Sequence, residues 1–323
     1  AATLKCKPEE IFFTSGGTES NNMALIGTAL ANKRAGNHII TTRIEHASVY
    51  QPLLFLEELG FKVTFAPVDE NGRVKIDELA DAVTDETILV SVMYVNNEIG
   101  CVEPIAEIAK RIKEKNPKVL FHVDAIQAYG KMKIQPAKEG IDLLSVSGHK
   151  IHGPKGAGAL YISPRLKSFP ALLMGGGQEN NLRSGTEATP AIAGFAAACA
   201  AVKETSKEDI AREKELLDGL VTQISALDGV QINGCHEAPH ILSLSIPGIP
   251  TQNIINILQD ADICVSAGSA CAKGHRSHTL TAMGLSPERM DSSFRVSICR
   301  ETTQAELDKL VQTIQNHILP RIK

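Results

Sequence analysis

Lys150 stands where a mostly apolar run, Ile141 to Val146, gives way to Ser147-Gly-His-Lys-Ile-His-Gly-Pro154. The run reads as a buried strand. A strand there delivers the lysine out of a sheet's carboxyl edge, where open α/β sheets bind their ligands. Partly desolvated at that edge, an amine can attack a carbonyl carbon and form a Schiff base. Most lysines are solvated surface charges, so the case depends on what neighbouring strand ends offer.

Four other strand ends offer matching chemistry. Ile11-Phe-Phe-Thr-Ser15 leads into Gly16-Gly17-Thr18 and a helix. Glycines admit a ligand close to the backbone, and free N–H groups at a helix start suit a phosphate. Thr18 adds a hydroxyl, although capping the helix would also explain it. Thr42-Arg-Ile-Glu-His46 precedes another helix. His46 could stack on a planar cofactor or move protons, or it could be a satisfied histidine near a helix start. Ile88 to Tyr94 ends at Val95-Asn-Asn-Glu-Ile-Gly100, a turn-forming sequence in which Asn97 could also bond a ligand. Val119-Leu-Phe-His-Val-Asp124-Ala-Ile-Gln127 carries a carboxylate at the end of an apolar strand. Burying it is costly unless it is paired. A protonated ring nitrogen would pair it; a turn cap is the alternative.

Thr18, His46, Asn97, Asp124, Gln127, His149 and Lys150 thus fall at one edge of one expected sheet. That set fits pyridoxal phosphate: a lysine for the Schiff base, an aspartate for the pyridine nitrogen and a glycine-rich helix start for the phosphate.

The elements that must position these residues alternate strand and helix. Strands are expected at Ile11–Ser15, His38–Thr42, Lys62–Pro67, Ile88–Tyr94, Val119–Val123, Ile141–Val146 and Gly158–Ile162. Helical patterns cover Glu19–Ala35, Ser48–Leu59, Ile76–Val83 and Ile105–Lys115. This predicts an α/β domain with a mostly parallel sheet flanked by helices. A long helical stretch from Ala191 to Leu227 follows. Short strands at Val230–Asn233, His240–Ile246, Ile263–Ala267 and Phe294–Ile298, with helices at Thr251–Asp260 and Thr303–His317, then predict a smaller α+β domain. We divide the chain at 1–205 and 206–323.

Composition narrows the function classes. With 323 residues and a formal net charge of −4, the chain has no basic patch for nucleic acid and no apolar run to span a bilayer. Tryptophan is absent and aromatics make up only 4% of the chain, which argues against aromatic platforms for bases. Seven cysteines without a C-x-x-C pair argue against a disulfide framework and a zinc site, so no metal is expected and the cytoplasm is the expected compartment. The start, Ala1-Ala-Thr-Leu-Lys-Cys6, lacks a signal-peptide layout and reads as a truncated or processed terminus.

Taken in order along the whole chain, the motifs resemble the cysteine desulfurases of the NifS/IscS type, within the fold-type I pyridoxal-phosphate enzymes. The carriers are Ser15-Gly-Gly-Thr-Glu-Ser-Asn21, Ile44-Glu-His46, Val95 to Gly100, His122 to Gln127, Ser147 to Gly156, Leu182-Arg-Ser-Gly-Thr186, Ser266-Ala-Gly-Ser-Ala-Cys271 and Ser292-Ser-Phe-Arg295. The resemblance implies that Lys150 holds the cofactor, Asp124 pairs with its ring nitrogen, His46 lies over the ring and Gln127 bonds the phenolic oxygen. Gly17, Thr18, Ser147 and His149 would hold the phosphate. The family forms homodimers, and there Thr186 would reach the neighbouring subunit's phosphate. Arg295 and Asn97 would bind the carboxylate of L-cysteine, an arginine fork suiting that task.

By the same resemblance Cys271 is the nucleophile that takes the sulfur as a persulfide, leaving L-alanine. The persulfide would pass to an iron–sulfur scaffold or another acceptor protein. Lys273, His275 and Arg276 could favour the Cys271 thiolate, whereas Cys101, Cys199, Cys264 and Cys299 read as small core residues. Family chains begin with a further Asp-Asn-Ala-Ala-Thr-like segment that is absent here, and the stretch after Cys271 reaches the helical pattern near Thr279 sooner. Two other readings stand beside this one. The first is another pyridoxal-phosphate reaction, transamination or β-elimination, which needs Lys150 but no protein thiol. The second is a non-catalytic homologue that acts as a binding partner.

Overall fold

Strands whose side chains are buried on both faces make the centre of the molecule's larger sheet. His38–Thr42 (β2), Thr87–Met93 (β4) and Leu143–Ser147 (β6) are buried at every position, as near-continuous apolar runs require when helices cover both faces. The computed structural model describes residues 1–166, 169–268 and 276–322. With Ile11–Thr14 (β1), Lys62–Ala66 (β3), Leu120–Asp124 (β5) and Gly158–Ile162 (β7), these strands form a seven-stranded sheet in the order β1-β7-β6-β5-β4-β2-β3. Adjacent strands from β6 across to β3 pair parallel; β7 is antiparallel to both neighbours. The carboxyl ends of β1, β2, β4, β5 and β6 therefore share one edge.

The helices between them follow the sequence periods. A helical stretch runs through Gly17–Asn22 (α1), a wide turn at Met23–Gly27 and Thr28–Asn32 (α2). Ala47–Glu58 (α3), Ile76–Asp81 (α4) and Ile105–Lys115 (α5) come next. In α5, Ile105, Ile108, Ala109 and Ile112 are buried, the spacing of one helix face. One face of the sheet packs Phe12, Met23, Leu25, Ile39, Leu53 and Leu89 into a common core. A single turn, Gln178–Asn181 (α6), precedes the long helix Thr189–Ser225 (α7).

The chain divides into two compact units, 1–67 with 74–95 and 103–206, and 68–73 with 96–102 and 207–323. The second holds a three-stranded antiparallel sheet, Ser293–Ser297 (β10), Ile241–Ser245 (β9) and Gln231–Asn233 (β8), in that order. Leu217, Leu220, Leu244, Ile254, Leu258, Phe294, Leu310 and Ile314 form its core. They come from the last turns of α7, the sheet, Thr251–Asp260 (α8), and Gln304–Thr313 (α11) with the turn beyond it. Two short helices, His278–Ala282 (α9) and Pro287–Asp291 (α10), precede β10.

One expected strand does not form. Ile263–Ala267 makes a single bridge, Ser266 to Arg295, because Asp262 and Gly268 both have positive φ (59° and 55°) and turn the chain at each end. Among the described residues no helix is long and apolar enough to cross a membrane.

Candidate active site

The carboxyl edge of the larger sheet gathers a buried hydrogen-bonded chain. Asp124, the last residue of β5, is 4% exposed. Its Oδ1 accepts from the Ile126 N–H at 3.0 Å and its Oδ2 from Asn21 Nδ2 at 2.7 Å. Asn21 Nδ2 also donates to Ser48 Oγ at 2.9 Å, and Ser48 Oγ lies 2.8 Å from His46 Nδ1. The Ser48 backbone N–H donates to that same Nδ1 at 3.1 Å. His46 is thus the side-chain cap of α3, the role of an acceptor just before a helix. With Nδ1 accepting, the ring's proton belongs on Nε2. Asn21 and Ser48 were not singled out from sequence. Their signal was local: Asn21 closes the Ser15–Asn21 motif, and Ser48 is the second residue of a helix entered from a histidine.

Burial pushes the Asp124 carboxyl above its usual range, while its hydrogen bonds from Ile126 and Asn21 and the charge of Lys150 pull the other way. A carboxylate held here by neutral donors has use for a cationic partner. Lys150 lies beyond the end of β6, in the short 3₁₀ turn Gly148–Ile151, and is exposed, as is His149. Ser147 Oγ and His149 Nδ1 are 2.9 Å apart. Burial, with the positive charges of Lys150 and Lys155, draws the His149 pKa below its ordinary value. Gln127 is half-buried three residues past Asp124.

Beside Ser147, the β1–α1 turn is shaped by glycines. Gly16 has φ 146°, a backbone conformation that favours glycine, and Gly158 of β7 has no room for a side chain, since a Cβ there would lie 2.6 Å from the Gly16 Cα. A Cβ on Gly17 would sit 2.1 Å from Ile126 Cδ1. The result is a backbone cradle of free N–H groups at the start of α1, with Thr18 exposed at its rim and Ser147 against Gly16. Thr186 is exposed after Gly185, near an ion pair between Arg183 Nε and Glu19 Oε1 at 2.7 Å.

The second unit brings Asn97 and Arg295 together. Arg295 Nη1 donates to the Asn97 carbonyl at 2.6 Å and Nε to Ser297 Oγ at 3.0 Å. Burial lowers the Arg295 pKa, and Glu98 opposes that. Glu98 itself accepts from Ser277 Oγ at 2.5 Å.

Cys271, with Lys273 and His275, lies outside the described residues. Arg276 makes a two-point ion pair with Asp291, at 2.8 Å for each contact. Cys264 is exposed, and Cys199 and Cys299 are half-buried. Only Cys101 of that expected core set is fully buried.

The class-V aminotransferase family model matches residues 1–310. The chain is 43% identical over 326 residues to "Cysteine desulfurase IscS" of Clostridium botulinum (strain Kyoto / Type A2), covering 99% of this chain and 80% of that protein. It is 41% identical over 326 residues to "Cysteine desulfurase, mitochondrial" of Candida albicans, covering 98% and 66%. A solved structure titled "NifS-like protein" superposes with a TM-score of 0.91 at 38% identity, covering 98% of this chain and 84% of that one.

Proposed function

The chain belongs to the class-V aminotransferase family and is a pyridoxal-phosphate-dependent cysteine desulfurase, and from that premise we propose which residues carry the reaction. The residues fit the cofactor. The buried Asp124 carboxylate would be matched by a protonated ring nitrogen, and the glycine cradle at α1 has the open N–H groups that a phosphate takes. When bound, pyridoxal phosphate supplies a carbon for Schiff-base formation and a conjugated electron sink that weakens bonds at an amino acid's α-carbon.

Lys150 Nζ would hold the cofactor covalently and move the α-proton of L-cysteine. Asp124 would keep the ring nitrogen protonated, while Gln127 bonds the phenolic oxygen and His46 lies over the ring. His46, with its proton on Nε2, would give or take protons there. Gly17, Thr18, Ser147 and His149 would hold the phosphate, Asn97 would contact the cofactor, and Arg295 with Asn97 would bind the substrate carboxylate.

The Cys271 thiolate would bond the substrate sulfur as the carbon–sulfur bond breaks, with the electron pair staying on the carbon side. Protonation then releases L-alanine, and Cys271 keeps the persulfide. We place the cofactor residues in 1–205 and the cysteine segment in 206–323. Thr186 would complete the phosphate site of a second copy in a homodimer. The persulfide would serve an iron–sulfur scaffold or another sulfur acceptor. We assign the chain to the cytoplasm, away from membranes and nucleic acid.

The buried chain from Asp124 through Asn21 and Ser48 to His46, at the sheet edge that also carries Lys150, is the observation that supports this reading. Borohydride reduction of the cofactor-loaded protein, followed by peptide mapping, tests it. The label is expected on the peptide holding Lys150 and should vanish in Lys150→Ala; a label on another lysine would sink the assignment.

A further inference from the structure

Two cysteines that no step above uses meet in the second unit. Cys101 Sγ and Cys235 Sγ are 2.7 Å apart, though 134 residues separate them in sequence. Cys101 is fully buried and Cys235 half-buried. Each follows a glycine in the left-handed region, Gly100 at φ 68° and Gly234 at φ 75°. Neither glycine has room for a side chain: a Cβ on Gly100 would lie 2.7 Å from the Ile241 carbonyl oxygen, and one on Gly234 would lie 2.9 Å from Ile99 Cβ. The Gly100 carbonyl accepts from the Glu237 and Ala238 N–H groups at 3.1 and 2.9 Å. The two turns are therefore fastened backbone to backbone, and they hold the two sulfurs side by side.

Glu237 completes a group of three possible metal ligands with the two cysteines, but the arrangement disfavours a cation. Glu237 Oε1 is ion-paired with Arg73, and Oε2 accepts from the Val102 N–H at 3.2 Å. Two thiolates on one tetrahedral ion stand about 3.7 Å apart for metal–sulfur bonds of about 2.3 Å, wider than this pair. The contact with Cys101 chiefly draws the Cys235 thiol below its ordinary pKa, with a smaller pull from the Arg73 guanidinium, although burial and the Glu237 charge oppose them. Cys235, half-buried where Cys101 is fully buried, is the sulfur that a reagent from solvent can reach.

We propose that Cys101 and Cys235 are a redox modification site that a hydroperoxide converts to an intramolecular disulfide. The Cys235 thiolate attacks the peroxide oxygen, the O–O bond breaks, and a sulfenic acid forms with release of water or an alcohol. The Cys101 thiol then displaces water from that sulfur as the S–S bond closes. Two thiols lose two electrons and two protons, and the peroxide is reduced. The bond would tie the Asn96–Val102 segment, which carries Asn97, to the segment before β9.

The test is graded oxidation of the full-length protein with hydrogen peroxide, then alkylation under denaturing conditions and peptide mapping. The expected result is a Cys101–Cys235 cross-linked peptide, two hydrogens lighter than the reduced pair. It should form while Cys199 remains alkylatable and should be reversed by dithiothreitol. In Cys235→Ser the cross-link is absent and Cys101 stays alkylatable. Cys101→Ser, read by the same mapping, covers the case in which the first variant folds poorly. Both thiols remaining alkylatable, or Cys235 passing to sulfinic acid with no cross-link, would overturn the proposal. Protection of both thiols by added zinc in the reduced protein would overturn it in favour of a metal site.

Discussion

Asn21 serves two residues with one amide nitrogen. Its Nδ2 donates to the Asp124 carboxylate and to Ser48, whose hydroxyl in turn meets His46. A hydrogen bond to a charged group is worth about 1.5–3 kcal/mol, so Asn21→Ala should weaken pyridoxal-phosphate binding by roughly 10- to 100-fold. Titration of the cofactor-free protein by absorbance measures this; an affinity unchanged within about twofold would show that Asp124 does not need the bond. Single residues were legible in the sequence where their type was costly in its setting, as with a carboxylate ending an apolar strand or a lysine beyond one. Asn21 was not, because its partners lie 27 and 103 positions away and an asparagine early in a helix has many unremarked uses.

At the scale of elements, β2 and β4 are tied where they deliver His46 and the Asn96–Val102 segment. Glu45 is fully buried, and its Oε1 accepts from Thr42 Oγ1 at 2.7 Å and from the Met93 N–H at 2.9 Å. Burial pushes its pKa up to about 8 from an ordinary 4.5, with the Asp124 and Glu103 charges adding to the rise and the two hydrogen bonds opposing it. Between those values the folded protein keeps a proton that the unfolded chain has lost. Stability should therefore fall as pH rises, by roughly 1.4 kcal/mol per pH unit, and level off above the folded value. Glu45→Gln is neutral at all pH and lacks that slope. Urea unfolding should show the variant gaining on the parent as pH climbs towards 8, whereas parallel curves would mean Glu45 is already ionised when folded. The strands were readable because unbroken apolar runs mark strands buried on both faces. The expected strand at Ile263–Ala267 shows the limit: its residues suit a strand, but the turns at Asp262 and Gly268 leave only one bridge.

For the whole molecule, the order of strands and helices gave the α/β class, since a βα alternation has few ways to bury both faces of a sheet. What the order could not give was the membership of two short segments, 68–73 and 96–102, in the second unit. That membership brings Asn97 to Arg295 and Cys101 to Cys235, contacts set by tertiary packing rather than by local pattern. The central claim, that the chain moves sulfur from L-cysteine through a thiol of its own, concerns the assembled, cofactor-loaded protein. The most direct measurement is L-alanine and sulfide formed from L-cysteine with a reductant, comparing the parent with Cys271→Ala. Equimolar alanine and sulfide are expected from the parent and neither from the variant. Sulfide released equally by both, with pyruvate in place of alanine, would contradict that claim and make the reaction a β-elimination that needs no protein thiol.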